Sequence, residues 1–284
     1  MSAEPTATSG RPFLKMHGLR NHFVIVDART DPYRPDVETI VRICDPEVGI
    51  GADQLVVLEA TETSGADVFM RLYNVDGREV GACGNATRCV AWLLLEEQSA
   101  DSVGVETHAG VLECQRAGDH RVTCDMGRIR TGWQEVPLAE ARRTDGIDLG
   151  GLRGGFALNV GNPHIVFVVD DVDGVDLVSA AERIQAAPLF PESVNVSVAQ
   201  RVYGDHLRLR VFERGAGLTM ACGSGACAAA FAARESGVVD AQNVTVSLPG
   251  GDVQISLDQR DDGNVHAIMT GPVAHSFRGE IDPP

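Results

Sequence analysis

One local element occurs twice in this chain of 284 residues, and it constrains the fold more than any other feature of the sequence. In each copy a strand-like segment leads through a polar, glycine-containing stretch to a Cys-Gly pair, and a helix-like segment follows. The first copy reads Ala82-Cys83-Gly84-Asn85-Ala86, and the second reads Ala221-Cys222-Gly223-Ser224-Gly225. The spacing of the copies is that of a domain rather than of a solenoid unit. The sequence therefore predicts two homologous α/β domains that face each other.

The segments around the two copies carry regular patterns of apolar residues. Residues 86–98 and 225–236 are apolar nearly all round, which predicts two buried helices. The apolar run at 165–169 predicts a strand that is buried on both faces. Alternation of apolar and polar residues predicts half-buried strands at 68–73, 207–211 and 244–248.

Composition and charge exclude several classes of protein. The net charge is -16, and no cluster of Lys and Arg is present, which argues against a nucleic-acid partner. No apolar stretch approaches the roughly 20 residues that span a bilayer. The polar first ten residues also lack the features of a secretory signal. We therefore expect a cytoplasmic protein that binds no membrane and begins with a disordered tail at residues 1–12.

Cysteine and lysine usage restricts the chemistry further. The seven cysteines are an odd number and include no Cys-x-x-Cys pair, which argues against a disulfide framework and a zinc site. Lys15 is the only lysine, and it lies beside the predicted tail. A Schiff base with pyridoxal phosphate is therefore not expected. We predict a reduced protein that uses no metal and no cofactor.

Cys83 and Cys222 each stand directly before a predicted helix. The free N–H groups and partial positive charge of a helix start stabilise a thiolate, so we expect a lowered pKa for both thiols. The glycine after each cysteine permits another group to approach the backbone closely. Asn85 and Ser224 are expected to cap the helices. The same helix starts can bind a carboxylate.

Two Cys-Gly helix starts that face each other across a cleft could invert the configuration of a carbon centre bound between them. A proton must leave one face of the carbon and arrive at the other, and a single base does not easily reach both faces. A thiolate on one wall and a thiol on the other can perform this transfer and exchange roles for the reverse direction. The other cysteines are interpreted as small core residues, namely Cys44, Cys89, Cys114, Cys124 and Cys227.

Eight short segments of the chain read as motifs, in the order Met16-His17-Gly18-Leu19-Arg20-Asn21-His22-Phe23, Gly49-Ile50-Gly51-Ala52-Asp53-Gln54, Tyr73-Asn74-Val75-Asp76-Gly77, Ala82-Cys83-Gly84-Asn85-Ala86-Thr87-Arg88-Cys89, Val160-Gly161-Asn162-Pro163-His164, Asn195-Val196, Phe212-Glu213-Arg214-Gly215 and Ala221-Cys222-Gly223-Ser224-Gly225-Ala226. In this order they resemble the motifs of diaminopimelate epimerases, and as a set they are highly specific. The resemblance runs from about residue 13 to 275 and therefore covers nearly the whole chain.

The resemblance implies conversion of LL-2,6-diaminopimelate to its meso form, a step in lysine and peptidoglycan synthesis that needs no cofactor or metal. The implied fold is α/β (α+β), with two pseudo-symmetric domains that each wrap a curved, mostly antiparallel sheet around a central helix. The first domain would comprise residues 13–128 together with the returning segment 271–284, and the second would comprise residues 129–270. A homodimer is expected.

The resemblance also implies roles for individual residues. Cys83 and Cys222 would be the acid/base pair, and Glu213 would bind the reacting ammonium. His164 and Glu213 would lie near the thiols and tune their pKa values. The reacting carboxylate would be bound by the N–H groups of Gly84, Asn85, Gly223 and Ser224. The remaining substrate contacts, largely at the distal end, would be Asn21, Gln54, Asn74, Asn162, Asn195 and Arg214.

The chain departs from the common family pattern at three positions, where Arg20 stands for Gly, His22 for Asp and Leu218 for Glu. The main alternative is a proline racemase or hydroxyproline epimerase, which shares the fold and the two cysteines. A small ring substrate does not need Asn74, Asn195 and Arg214, the residues expected to bind the distal end of diaminopimelate. An isomerase of the phenazine pathway shares the fold and lacks the paired cysteines. A thiol redox or metal-binding protein is a different class, and the cysteine spacing argues against it.

Overall fold

The computed structural model describes residues 10–281, which form four helices and eighteen strands. The helices are α1 (Val37–Cys44), α2 (Gly84–Gln98), α3 (Leu177–Gln185) and α4 (Gly223–Glu235). The strands are β1 (Arg11–Gly18), β2 (Asn21–Asp27), β3 (Gln54–Glu59), β4 (Val68–Asn74), β5 (Glu79–Val80), β6 (Ser102–Thr107), β7 (Gly110–Arg116), β8 (Arg121–Arg128), β9 (Ile147–Leu149), β10 (Leu152–Asn159), β11 (Pro163–Val168), β12 (Asn195–Tyr203), β13 (His206–Glu213), β14 (Gly217–Leu218), β15 (Asn243–Leu248), β16 (Gly251–Gln259), β17 (Val265–Pro272) and β18 (Ala274–Ile281).

The strands form one hydrogen-bonded ladder that runs through both halves of the chain. From one edge to the other its order is β18, β1, β2, β3, β4, β6, β7, β8, β17, β16, β15, β13, β12, β11, β10 and β9. The short strands β5 and β14 pair with β4 and β13. Only β2–β3, β4–β6, β11–β12 and β13–β15 are parallel among the pairs of residues 10–281. The antiparallel pair β8–β17 joins the two halves.

The order of elements repeats from one half to the other. Strands β1 to β8 with α1 and α2 have the same sequence of parallel and antiparallel pairings as β10 to β17 with α3 and α4. In both halves a first helix connects the two strands of a parallel pair, and a second helix follows a short hairpin strand. The predicted duplication and the predicted mixed fold with mostly antiparallel strands are confirmed.

Each half places its second helix in the centre of a hydrophobic core. All side chains of α2 from Asn85 to Trp92 are buried, and so are those of α4 from Gly225 to Ala233. Separate clusters of buried residues surround α2 and α4, and two more lie against α1 and α3. Burial of one Val, Leu, Ile or Phe side chain contributes roughly 1.5–3 kcal/mol, so these cores supply the main stabilisation. No helix within residues 10–281 is long and apolar enough to cross a membrane.

The predicted elements agree with the observed ones except at their ends. Helices α2 and α4 begin two residues earlier than predicted, directly after Cys83 and Cys222. Residues 1–9 of the predicted tail and residues 282–284 of the predicted returning segment lie outside the described residues. Arg11 and Pro12 were predicted to belong to the tail, which is wrong, because they lie in β1 and pair with Ile281 and Glu280 of β18. The exact domain boundaries stay a prediction.

The tight turn between β1 and β2 connects the two halves. Leu19 and Arg20 both adopt positive φ angles, 57° and 64°, as the two central residues of a type I′ hairpin turn do. The Leu19 side chain is 6% exposed and belongs to the core around α4. Its carbonyl oxygen packs against Gly250, at the turn between β15 and β16. The turn of the first half is therefore held by the core of the second.

This contact predicts that Gly250→Ala destabilises the protein. A Cβ atom at Gly250 would lie 2.0 Å from the Leu19 carbonyl oxygen and 3.0 Å from that of Met220. Both are backbone atoms, so the turn must move, and we expect a loss of about 1–3 kcal/mol in the free energy of unfolding. Urea unfolding measures this loss. The matched control is Gly81→Ala, since nothing lies within 4 Å of its added Cβ atom. Equal stability of the two variants would contradict the proposed contact.

Candidate active site

Cys83 and Cys222 hold equivalent positions in the two halves. Each is the N-cap residue of a buried helix and has an extended backbone, Cys83 before α2 and Cys222 before α4. The Cys222 sulfur accepts a hydrogen bond from the Gly225 N–H at 3.4 Å, as an N-cap side chain does. Asn85 and Ser224 were predicted to be the caps, which is wrong, because the helices begin one residue before them and their side chains have other partners.

The two helix starts lie close together against the same methionine. A Cβ atom at Gly84 would lie 2.9 Å from Met269 Cε, and one at Gly223 would lie 3.1 Å from it. Both helix starts therefore reach Met269 because the residue after each cysteine lacks a side chain. This is the close approach that the two glycines predicted.

The Asn85 side chain links the two segments that carry the cysteines, which we call the wall of Cys83 and the wall of Cys222. Its Nδ2 atom donates to Asn21 Oδ1 at 3.2 Å and to the Ala221 carbonyl at 3.1 Å. Asn21 Oδ1 lies 3.7 Å from Cys83 Sγ, and Ala221 is the residue that precedes Cys222. One buried carboxamide thus contacts groups adjacent to both thiols. The five other cysteines are buried, as predicted for core residues.

Glu213 lies beside both thiols at the end of β13. Its Oε1 accepts a hydrogen bond from Thr219 Oγ1 at 2.6 Å. Burial raises the pKa of Glu213, and the hydrogen bonds from Thr219 and Cys222 oppose this change. The Glu213 charge in turn raises the pKa of Cys83 and of Cys222. A cation beside Glu213 would therefore favour the thiolate form of either cysteine.

The pKa values of the thiols differ from the sequence prediction. Burial raises the pKa of Cys83 to about 11 and holds that of Cys222 well above its usual value. The N–H groups of the helix starts do lower both pKa values, but by less than desolvation raises them. The prediction of lowered pKa values is therefore wrong for the protein without substrate. Desolvation is larger because the cysteines lie at the junction of the two halves, where Cys222 is buried and Cys83 is half-buried.

A chain of hydrogen bonds connects His164 with Cys222. His164 Nε2 lies 2.9 Å from Asn162 Oδ1 and 3.0 Å from Ser224 Oγ. Ser224 Oγ lies 3.6 Å from Cys222 Sγ, and this contact lowers the pKa of Cys222. With the proton on Nε2, His164 donates to both oxygen atoms, which leaves the Ser224 hydroxyl free to donate to the sulfur. His164 thus acts on Cys222 through Ser224.

Asn195 and Arg214 lie beside this chain. Asn195 Nδ2 donates to the Pro163 carbonyl at 3.1 Å, and its Oδ1 accepts from the Arg214 N–H at 2.8 Å. Arg214 is exposed, and its Nη1 donates to the Glu192 carbonyl at 2.6 Å. Its charge lowers the pKa of His164, so the guanidinium lies near the site. The remaining Arg214 donors can bind a carboxylate.

The predicted contacts of the first half form a second group. Gln54 Nε2 donates to Asn74 Oδ1 at 3.0 Å, across the β3–β4 ladder. Asn21 Nδ2 donates to Asp53 Oδ2 at 3.2 Å. Asp53 and Thr219 are two polar residues to which the sequence analysis assigned no role. Asp53 stands directly before Gln54 within a recognised motif, and this adjacency was the available signal.

The predicted polar residues occupy equivalent positions in the two halves. Asn21 begins β2, and Asn162 directly precedes the equivalent strand β11. Gln54 and Asn195 begin the equivalent strands β3 and β12, while Asn74 and Glu213 end β4 and β13. The duplication thus brings two sets of polar side chains, one from each half, towards the junction at which the cysteines lie.

Comparison with known proteins identifies the family to which this chain belongs. A family model described as diaminopimelate epimerase matches residues 13–131 and 156–276. The chain is 46% identical over 282 residues to a diaminopimelate epimerase from Phenylobacterium zucineum, covering 97% of this chain and 99% of that protein. It is 45% identical over 273 residues to one from Rhodospirillum centenum, covering 95% of this chain and 92% of that protein. The chain belongs to the diaminopimelate epimerase family.

A solved structure has a fold similar to that of this chain. It is a probable proline racemase from Agrobacterium radiobacter, with a TM-score of 0.67 and 15% sequence identity, covering 96% of this chain and 93% of the other. At this identity the similarity concerns the fold alone. Two pseudo-symmetric halves around a shared junction therefore occur in proteins with very different sequences.

The state of His164 predicts a specific dependence of stability on pH. Burial, with a smaller effect of Arg214, lowers the pKa of His164 to about 3. In the unfolded chain this imidazole binds a proton near pH 6.5. The contribution of neutral His164 to the free energy of unfolding is therefore fully present above pH 6.5 and is lost as the pH falls towards 3. Because one proton is bound on unfolding, the free energy of unfolding decreases by up to about 1.4 kcal/mol per pH unit in this range.

Urea unfolding of the wild type and of His164→Gln between pH 7 and pH 4 measures this dependence. We expect the wild type to lose stability relative to the variant as the pH falls, because the variant has no imidazole to protonate. All carboxylates are common to both proteins and cancel in the comparison. Parallel stability curves would show that His164 is not held neutral by its surroundings.

Proposed function

We propose that this chain interconverts LL-2,6-diaminopimelate and its meso isomer without a cofactor. Cys83 and Cys222 would act on opposite faces of one α-carbon, one as thiolate base and the other as thiol acid. The observation that carries the proposal is the junction of two equivalent helix starts, each directly preceded by a cysteine and linked by the Asn85 side chain, which contacts Asn21 beside Cys83 and the Ala221 carbonyl before Cys222. Membership of the diaminopimelate epimerase family supports the choice of substrate.

In the proposed reaction a thiolate removes the α-proton and the opposite thiol delivers its own proton. The first cysteine ends as a thiol and the second as a thiolate, so the two have exchanged forms. The N–H groups of Gly84, Asn85, Gly223 and Ser224 would bind the reacting carboxylate at the two helix starts. Negative charge that develops beside the α-carbon would be stabilised by the same N–H groups.

A bound substrate would place its ammonium group, a cation, near the two thiols. The Glu213 charge raises the pKa of both cysteines in the protein alone. The reacting ammonium group of the substrate would pair with Glu213 and offset this effect, which favours formation of one thiolate. The Ser224 hydroxyl and the Gly225 N–H already donate towards Cys222 and lower its pKa.

Groups further from the thiols would select a substrate with a second amino-acid end. Asn74, Asn195 and Arg214 can bind a carboxylate and an ammonium group. Gln54 and Asn162 would supply further contacts, together with Asn21, which lies nearer to Cys83. Proline has no such second end, so the proline racemase alternative leaves these residues without a role. We also propose that the protein acts in the cytoplasm as a homodimer, as the family resemblance implies.

The choice of substrate is tested by incubating the purified protein with LL-diaminopimelate and, separately, with L-proline, without added cofactor. We expect chiral chromatography to detect the meso isomer from the first and no D-proline from the second. Arg214→Met should raise KM for diaminopimelate at least about tenfold, because a charged hydrogen-bond partner of the distal carboxylate is lost. Arg208→Met in β13, the strand that ends directly before Arg214, is the control, since Arg208 pairs with Asp173 at the surface. Turnover of proline alone would overturn the proposal.

The roles of the cysteines are tested by single substitutions in both helices. Cys83→Ala and Cys222→Ala should each reduce epimerisation by at least about 10²–10⁴-fold, since each removes one of two proton-transfer groups. The matched controls are Cys89→Ala and Cys227→Ala, which alter core positions of the same helices and should leave turnover within severalfold of the wild type. Near-normal turnover of either Cys83→Ala or Cys222→Ala would contradict the two-base scheme.

A further inference from the structure

Arg88 is a buried arginine for which the proposed reaction has no direct use. It lies in α2, five residues after Cys83, and its exposed fraction is 0%. Among residues 10–281 no carboxylate lies within salt-bridge distance of its guanidinium, although most of the other arginines in this range have an acidic partner. A guanidinium stays protonated in proteins. A buried, unpaired cation is unfavourable for folding, so its presence requires a reason.

The surroundings of Arg88 come from three separate parts of the fold. Its Nη2 donates to Asn85 Oδ1 at 2.8 Å, and its Nη1 lies 3.2 Å from Met269 Sδ. A Cβ atom at Gly18 would lie 3.2 Å from Nη2, and one at Gly271 would lie 2.9 Å from Nε. Glycines of β1 and β17 thus leave the space that the guanidinium fills, at the junction between the two halves.

The contact with Arg88 determines which way the Asn85 carboxamide points. A guanidinium has donors only, so the Asn85 atom that faces it must be the oxygen. The Nδ2 atom then points the other way, where it meets two acceptors, Asn21 Oδ1 and the Ala221 carbonyl. If the carboxamide were rotated by half a turn, Nδ2 would face the Arg88 donors, and Oδ1 would face the oxygen atoms of Asn21 and Ala221. Arg88 therefore selects the one orientation in which Asn85 can join both walls.

We propose that Arg88 is a positioning residue, which fixes the Asn85 carboxamide so that Asn85 holds the wall of Cys83 against the wall of Cys222. This inference deepens the proposed function and rests on it for its catalytic consequence. Asn21 Oδ1, one acceptor of the bridge, lies 3.7 Å from Cys83 Sγ. The other acceptor precedes Cys222, which is 4% exposed. Loss of the bridge would move the thiols relative to each other and admit water to Cys222.

A space-filling role of Arg88 has different consequences. Arg88 would then stabilise the whole core, and its removal would loosen α2 and α4 alike. The positioning role instead predicts an effect confined to the junction and shared with Asn85. The test therefore compares Arg88→Met, Asn85→Ala and the double variant, with Arg201→Met as the matched control. Arg201 is exposed on the β12–β13 hairpin and donates to the Gly204 carbonyl.

The catalytic measurement is turnover of LL-diaminopimelate by each variant. We expect Arg88→Met and Asn85→Ala each to lower kcat at least about tenfold, with KM changed by no more than about twofold, since the contacts proposed for Asn74, Asn195 and Arg214 are unaltered. The loss caused by Arg88→Met should be at least about tenfold smaller in the Asn85→Ala background than in the wild type, because Arg88 acts through Asn85. Wild-type kcat in Arg88→Met, or losses that multiply in the double variant, would overturn the inference.

The second measurement needs no substrate. Each variant is treated with iodoacetamide, and alkylation of Cys222 and Cys227 is followed by peptide mass spectrometry. We expect Arg88→Met and Asn85→Ala to speed alkylation of Cys222 about tenfold or more without speeding that of Cys227. The Arg88 charge lowers the pKa of Cys227, so its loss can only make that thiol less reactive. Equal acceleration at both cysteines would indicate general loosening and overturn the inference. If the wild type does not turn over diaminopimelate, the proposed function fails, and this measurement alone decides the role of Arg88.

Asn85→Asp keeps the inference testable if Arg88→Met does not fold. The new carboxylate gives Arg88 an ion pair, so folding is favoured, but it has no donor for Asn21 or Ala221. We expect a folded protein by circular dichroism, with kcat lowered at least about tenfold and Cys222 more accessible to iodoacetamide. Wild-type kcat together with a protected Cys222 in this variant would show that the bridge does not hold the two walls.

Discussion

The antiparallel pairing of β8 with β17 is the interaction on which the relation of the two halves depends. It runs from Arg121 opposite Pro272 to Arg128 opposite His266 and turns two copies of one topology into a single continuous sheet. The pairing brings the starts of α2 and α4 together, where both glycines reach Met269 of β17. The chemistry of the junction therefore depends on a backbone ladder that also places the Met269 side chain against both helix starts.

Burial and hydrogen bonding act in opposite directions at the thiols. A helix start favours a thiolate, and the N–H groups of α2 and α4 do lower the pKa values of Cys83 and Cys222. The same packing that brings the cysteines together removes water from them and raises both pKa values further. In the proposed scheme two protonated thiols would be an inactive pair, and a protonated thiol is also a poor nucleophile and a poor metal ligand. In the proposed scheme a substrate ammonium beside Glu213 changes this balance only when there is a proton to transfer.

Local patterns predicted what depends on local structure. The periods of apolar residues predicted α2, α4 and the strands, and the repeated Cys-Gly element predicted the duplicated topology. The pKa values were predicted wrongly, because desolvation is set by the opposite half of the fold. Asn85 was expected to cap a helix, whereas its partners Asn21 and Ala221 are distant in sequence. Arg88 stood within a recognised motif, yet its role depends on Gly18 and Gly271, which no local pattern connects with it.

The central claim is that two groups transfer the proton, one on each face of the α-carbon. The most direct measurement is the location of deuterium early in the conversion of LL-diaminopimelate in D2O, by mass spectrometry of the separated isomers. The opposite thiol exchanges with solvent before it acts, so the account predicts deuterium in the meso product while the remaining LL substrate still carries protium. Protium at the inverted carbon of the early meso product would show that one group carries the same proton between faces, and it would contradict the account.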